Sequence, residues 1–135
     1  MVAALIAIAG LLAAAILGGG LERVQMRSAA KDIAANLRFT RAHALATGTP
    51  QRFVIDPAAR TWQAPRERSG QVPEGLEVEF TGAREMQERA GEGVVVFFDD
   101  GASTGGRVRL EAGDARWDVD VAWLTGEVRV HRGQR

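Results

Sequence analysis

Cysteine is absent from all 135 residues, which excludes a disulfide framework and any thiolate metal site. Net charge is absent as well, with seventeen basic groups against seventeen acidic ones. The balance is uneven along the chain. Residues 1–50 hold Arg23, Arg27, Lys31, Arg38 and Arg41 against Glu22 and Asp32, so the remainder carries a surplus of three negative charges. That distribution argues against a generally basic nucleic-acid-binding domain. Lysine is nearly missing: sixteen of the seventeen basic residues are arginine, a uniform preference that reads as codon usage. Histidine is scarce too. His43 and His131 have no motif partner and no metal-ligand spacing, and His43 reads as a solvated helix residue. At this length the chain is one domain with at most an appendage.

Charge is also missing from one long stretch. Val2 to Leu21, "VAALIAIAGLLAAAILGGGL", runs twenty residues without an ionisable side chain, about the length that crosses a bilayer core as a helix. A cleaved secretory signal and a packed core helix are the competing readings. Against the signal, no Lys or Arg precedes the run, and it exceeds the usual apolar core of such peptides. An all-round apolar helix suits lipid or a helix bundle better than a globular core. The next stretch, residues 22–47, places Met26, Ala30, Ile33, Leu37, Thr40 and Ala44 at three- and four-residue steps, with the basic residues mainly off that stripe. The spacing predicts an amphipathic helix that ends near Gly48, with Pro50 just beyond. One helix over residues 2–47 is about 70 Å long, too long for so small a domain to bury.

After Pro50 the period falls from helical to two. "QRFVID", "TWQA", "LEVEF", "GVVVFF", "RVRLE", "RWDVDVAW" and "EVRVH" read as seven short strands separated by turn signals such as Asp56-Pro57, Asp99-Asp100-Gly101 and Thr125-Gly126. Trp123 and Leu124, at the end of the sixth of these, read as core candidates. Residues Gly82 to Gly93 are charged and without strong period, a loop or a short helix. The pattern predicts an α+β chain: an N-terminal helix over 1–49, divided at residue 21, then a small antiparallel β head over 50–135.

The stretch from Asp99 to Leu110, "DDGASTGGRVRL", invites a phosphate-loop reading, since it sets glycines beside hydroxyls. A P-loop needs Gly-Lys-Ser/Thr opening a helix, whereas Gly106 is followed by Arg107, Val108 and an alternating strand. The stretch therefore reads as a tight connection between two antiparallel strands, with Asp100-Gly101 as the positive-φ turn. Asp99 and Asp100 lack the spacing of a calcium loop and suit a turn in which Asp bonds its own backbone. Asp118 and Asp120 share the polar face of one strand, and without a partner acid or a cleft they make no glycosidase pair. No catalytic constellation, cofactor site or metal site emerges.

"VVFFDDGASTGGRVRL" and, one hairpin later, "VDVAWLTGEVRV" resemble the hallmark of the GspH/FimT family of minor pseudopilins and minor pilins. Asp100, Gly101, Ser103, Thr104, Gly105, Gly106, Leu124, Thr125 and Gly126 occupy the places of the family pattern, and "LRFTRAHALATGTPQRFVID" is similar to its helix end and first strand. The resemblance implies a type IV pilin-like fold, a long N-terminal helix serving as membrane anchor and filament core, and a structural role for the glycine-rich loop. It also implies other pseudopilins as partners, an inner-membrane anchor at residues 2–21 and a periplasmic head. Family members carry a basic leader and Gly-Phe-Thr-Leu-x-Glu, cut by the prepilin peptidase. Neither precedes Met1 here, so the expectation is that an upstream in-frame reading supplies both, and peptidase recognition depends on it. Two functions follow from the resemblance. One is a minor pseudopilin of type II secretion. The other is a FimT-like minor pilin that binds DNA for uptake, for which Arg129, Arg132 and Arg135 in the tail "RVHRGQR" are the phosphate-contacting candidates. Some family members carry Gly-Arg-x-Arg for that role, but Gly126-Glu127-Val128-Arg129 puts an acid at the first arginine, and a frayed, solvated tail is the competing reading.

Overall fold

The stripe on the helix decides how the chain packs. In the computed structural model, which describes residues 2–82 and 91–133 and the side chains of residues 21 and 23 onward, one helix, α1, spans Val2–Thr47. Met26, Ala30, Ile33, Leu37, Thr40 and Ala44 are all buried, the full set expected from the three- and four-residue spacing. Ala34 joins them. The small side chains let sheets approach the helix closely, while each buried Met, Ile or Leu contributes about 1.5–3 kcal/mol. Thr40, buried with a hydroxyl, satisfies it by donating to the Asn36 carbonyl at 2.7 Å, which removes the cost of an unpaired polar atom. Among the described residues no helix is long and apolar enough to cross a membrane. The side chains of residues 2–19, where the membrane expectation falls, lie outside the described residues.

Among the described residues eight strands follow: β1 (Gln51–Asp56), β2 (Thr61–Ala64), β3 (Arg68–Gln71), β4 (Glu77–Gly82), β5 (Gly93–Phe97), β6 (Gly106–Ala112), β7 (Ala115–Val121) and β8 (Val128–Arg132). They form two antiparallel four-stranded sheets, ordered β3-β2-β1-β5 and β4-β6-β7-β8, and α1 packs against strands of both. Phe53 and Ile55 of the first sheet and Val108, Leu110, Val119, Val121 and Val128 of the second are buried with the helix stripe in one core. The alternation along each strand, in for these residues and out for their neighbours, is the pleat at work.

Three strand expectations change. β3 lacks any apolar alternation, so sequence gave it no strand signal. Pairing makes it one: Arg66 and Glu67 turn at positive φ, Ala64 faces Arg68 and Trp62 faces Gly70, and the Trp62 ring covers the space where a Gly70 side chain would lie. The expected strand through Trp123 stops at Val121, and the last strand begins at Val128 and extends to Arg132. Residues 83–90, the middle of the expected loop Gly82 to Gly93, lie outside the described residues.

Candidate functional site

The glycine-rich stretch, expected to be a tight connection between two antiparallel strands, joins strands that do not pair with each other. It carries the chain from β5 in one sheet to β6 in the other. Phe98 and Gly101 close the turn, Gly101 donating to the Phe98 carbonyl at 3.0 Å with its own φ at 90°, and Asp100 Oδ1 accepts from the Ala102 amide at 3.0 Å. Both features are the turn chemistry that the Asp-Gly pair implies. Residues 102–104 then run back along β5. Phe98 donates to the Ala102 carbonyl at 2.8 Å, the Thr104 amide donates to the Val96 carbonyl at 3.0 Å, and the Val96 amide donates to Thr104 Oγ1 at 3.0 Å. At Gly105-Gly106 the chain leaves this edge and enters the second sheet.

Each hydroxyl therefore has a distinct task. Thr104 fastens the returning segment to β5. Ser103, buried, fastens it to the loop between β7 and β8: its amide donates to the Trp123 carbonyl at 2.8 Å and its Oγ donates to the Ala122 carbonyl at 2.9 Å. The same oxygen accepts from the Gly105 amide at 2.9 Å. The β7–β8 loop is itself closed by Ala122 donating to Glu127 and Gly126 donating to Ala122, at 2.9 and 2.8 Å. Asp100, Gly101, Ser103, Thr104, Gly105 and Gly106 are thus brought against Thr125 and Gly126 in one knot of two loops.

Arg41 completes the knot, and sequence reasoning missed it. Its Nε donates to the Gly101 carbonyl at 3.0 Å and to the Thr125 carbonyl at 3.1 Å, so one helix side chain clamps both loops. Three residues earlier on the same flank, Arg38 Nη2 donates to the Val128 carbonyl at 2.9 Å. The available signal was the pair Arg38 and Arg41 at i, i+3 beside an apolar stripe. Its targets lie far off in sequence and could not be read from it.

Trp123 and Leu124 are not in the core. The turn closed by Ala122, Gly126 and Glu127 pushes them outward, and each is 68% exposed. Phe98, on the other loop, is 38% exposed, so the knot presents aromatic and aliphatic side chains to solvent beside the acids Asp99 and Asp100.

The outer face of the second sheet holds a charge lattice set by strand register. Arg109 lies opposite Asp118 and Arg107 opposite Asp120, and both pairs are two-pronged: 2.8 and 3.1 Å for the first, 2.6 and 3.2 Å for the second. Asp118, expected on an open polar face, is buried beneath this layer. From β8, His131 Nε2 sits 2.5 Å from Asp120 Oδ2. Burial works to raise the Asp120 pKa, but hydrogen bonds from Arg107 and His131 outweigh it and hold the carboxyl below its ordinary value. The Asp120 hydrogen bond in turn raises the His131 pKa above 6.5. His131 therefore adds stability that is fully present below about pH 6.5 and is lost as pH rises through its folded value. Asp120 adds stability that is lost only as pH falls below about 3.8. Thermal melts from pH 5 to 9 should show the wild type losing, relative to His131→Gln, no more than about 1 kcal/mol, because the pair is half exposed and screened. A pH-independent difference would refute the coupling.

Two of the three candidate phosphate contacts, Arg129 and Arg132, lie in β8. Arg129 and His131 stand on the outer face of β8, and Arg129 is paired with Glu127 at 3.1 Å. Arg132 falls on the opposite face by the alternation of the strand, with its guanidinium 6.0 Å from the Trp117 ring centre. Arg135 lies outside the described residues. His43 is half-buried and stacks on Phe39, ring centres 5.8 Å apart, rather than standing free in solvent.

With this architecture in view, the comparisons decide the family. The family model described as type II transport protein GspH matches residues 29–125. The chain belongs to the GspH family. It is also 60% identical, over 129 residues, to the type II secretion system protein H of Xanthomonas campestris pv. campestris, covering 96% of this chain and 76% of that protein. The fold resembles that of the minor pseudopilin EpsH from the type II secretion system of Vibrio cholerae, with a TM-score of 0.63 at 16% identity over 80% of this chain and 97% of that one. It equally resembles the type IV minor pilin FimU of Pseudomonas aeruginosa, with a TM-score of 0.64 at 14% identity over 84% and 96% of the two chains. The GspH match contains Arg41 and every residue of the two-loop knot up to Thr125.

Proposed function

We propose that this chain works as a minor pseudopilin of type II secretion, a structural subunit of the periplasmic pseudopilus that drives protein export across the outer membrane. The observation that carries the reading is its 60% identity with a type II secretion system protein H across nearly the whole chain. In this reading residues 2–21 anchor the subunit in the inner membrane before assembly and then join the helical bundle of the filament. The twenty-residue uncharged run supports that role, and its length suits a bilayer core. Residues 22–47 hold the head, residues 50–135, against the same helix through the buried stripe and the arginine clamp. The head then follows wherever the helix is moved.

Neighbouring pseudopilins dock, on this reading, on the exposed Trp123 and Leu124 beside Phe98. Trp is among the side chains that dominate protein interfaces, and here it stands on a loop whose backbone is fixed from three sides. Truncating both to alanine should change stability by less than about 0.5 kcal/mol, as for surface sites. The same change should cut secretion of exported proteins severely and weaken co-purification with other pseudopilins. Normal secretion by the double variant would overturn this docking surface, and a misfolded head would show that the pair has a packing role.

The uptake-pilin reading draws no support from the geometry of β8. Arg129 is ion-paired and Arg132 faces the other way, so the two do not form a single basic stripe along one phosphate chain.

A further inference from the structure

Below the core, where α1 passes the lower end of the second sheet, lies a groove of about 660 Å³. Arg23 and Arg27 line it from the helix, Arg116, Trp117 and Arg132 from β7 and β8, and Asp114 from the turn between β6 and β7. We propose that this groove binds the phosphate of an anionic phospholipid headgroup at the membrane surface. The proposal rests on the membrane reading of residues 2–21 given above.

Charge is the first reason. Three arginine side chains, Arg23, Arg27 and Arg132, line one groove in a chain with no net charge, while Arg116 borders it from a position whose side chain falls on the outer face by the alternation of β7. Arg116 is partly engaged by Glu111, at 3.5 Å, and Asp114 sits on the rim, but no hydrogen bond or ion pair holds Arg23 or Arg27 among the described residues. Arginine suits phosphate because its planar fork donates two hydrogen bonds to two oxygens at once. Position is the second reason. Arg23 and Arg27 follow the end of the uncharged run by two and six residues, roughly 3 and 9 Å along a helix. If Leu21 marks the edge of the hydrocarbon, Arg23 lies within the headgroup layer, about 5–8 Å deep on each side, and Arg27 lies just past its outer edge, with a side chain long enough to reach back into it. Trp117 is the third. It is half-buried in the groove beneath Arg132, and Trp favours the boundary between hydrocarbon and water. Val24, 64% exposed in the same groove, offers an apolar contact for the glycerol end of an acyl chain. A zwitterionic lipid also brings a phosphate, but it adds a cation that the arginines repel.

The test uses the full chain in micelles containing phosphatidylglycerol or phosphatidylcholine, with retained lipid counted by native mass spectrometry. Retention of phosphatidylglycerol should exceed that of phosphatidylcholine about tenfold. The triple variant Arg23→Gln, Arg27→Gln, Arg132→Gln should lose that preference, whereas Arg129→Gln, on the outer face, should keep it. Equal retention of the two lipids, or an unchanged preference in the triple variant, overturns the site. Displacement of the lipid by millimolar soluble glycerol phosphate would make it a free-anion site and also overturn the proposal. Carbonate extraction from vesicles, run in parallel, tests the anchor alone. A chain that resists extraction but shows no lipid preference defeats only the groove, and a chain that is extracted defeats the membrane reading and the groove together.

Discussion

Replacing Phe53 with alanine is expected to cost about 3–5 kcal/mol, the range for deleting a fully buried aromatic side chain. Phe53 is completely buried in β1, and its ring stacks on that of Trp62 with centres 5.6 Å apart. β1 is an interior strand of its sheet and also packs against α1, so the cavity would open between helix and sheet. Backbone pairing on both sides of β1 limits how far the site can collapse, which favours the upper part of the range. Since a domain of this size is stable by only about 5–15 kcal/mol, one such change removes a large share. Chemical denaturation followed by the fluorescence of buried Trp62 measures it, and Trp123→Ala is the internal comparison. A loss below about 1 kcal/mol for Phe53→Ala would mean that the head does not depend on this contact.

That comparison shows where the sequence was legible. The helix stripe from Met26 to Ala44 could be read because burial on one face forces a period of 3.6, and nothing distant is needed to see it. β1 and β6 were visible for the same reason with a period of two, and β5 as a short continuous apolar run, buried at every position. Trp123 was misread because period two, continued from Val119 and Val121, would carry it inward. The chain instead turns at Ala122, and the turn is fixed by Ser103, nineteen positions away. β3 was invisible because only its pairing makes it a strand. Arg41 was placed only off the apolar stripe, because its two acceptors are backbone carbonyls 60 and 84 positions on. Local periodicity therefore gave the elements, and resemblance gave the loop residues, but the bonds that lock the loops to each other and to the helix are long-range and side chain to backbone. The groove lined by Arg23, Arg27 and Arg132 escaped notice likewise, since Arg23 and Arg132 stand at opposite ends of the chain.

The other large effect is expected at Gly126. Its φ is 71°, where an L side chain costs roughly 1–2 kcal/mol. The local space makes matters worse, because a Cβ at this position would overlap the backbone carbonyl of Gly101 and press on the Arg41 side chain. A flexible side chain could move aside, but the Gly101 carbonyl sits in a closed turn and accepts the Arg41 hydrogen bond. Relief requires the two loops to part, which pulls Arg41 from one or both acceptors. Adding overpacking of about 1–3 kcal/mol to the backbone strain, Gly126→Ala should destabilise the head by about 2–5 kcal/mol. Gly113→Ala is the control for conformation alone: its φ is 59°, but nothing lies within 4 Å of the added carbon. It should cost only about 1–2 kcal/mol. Denaturation midpoints for the two variants separate the strain that they share from the collision that Gly126 alone suffers. If both shift by the same amount, close packing of the loops is not what requires glycine at 126. If Gly126→Ala costs more and pairing it with Arg41→Ala recovers none of the excess, the backbone of Gly101 rather than the arginine is the obstacle.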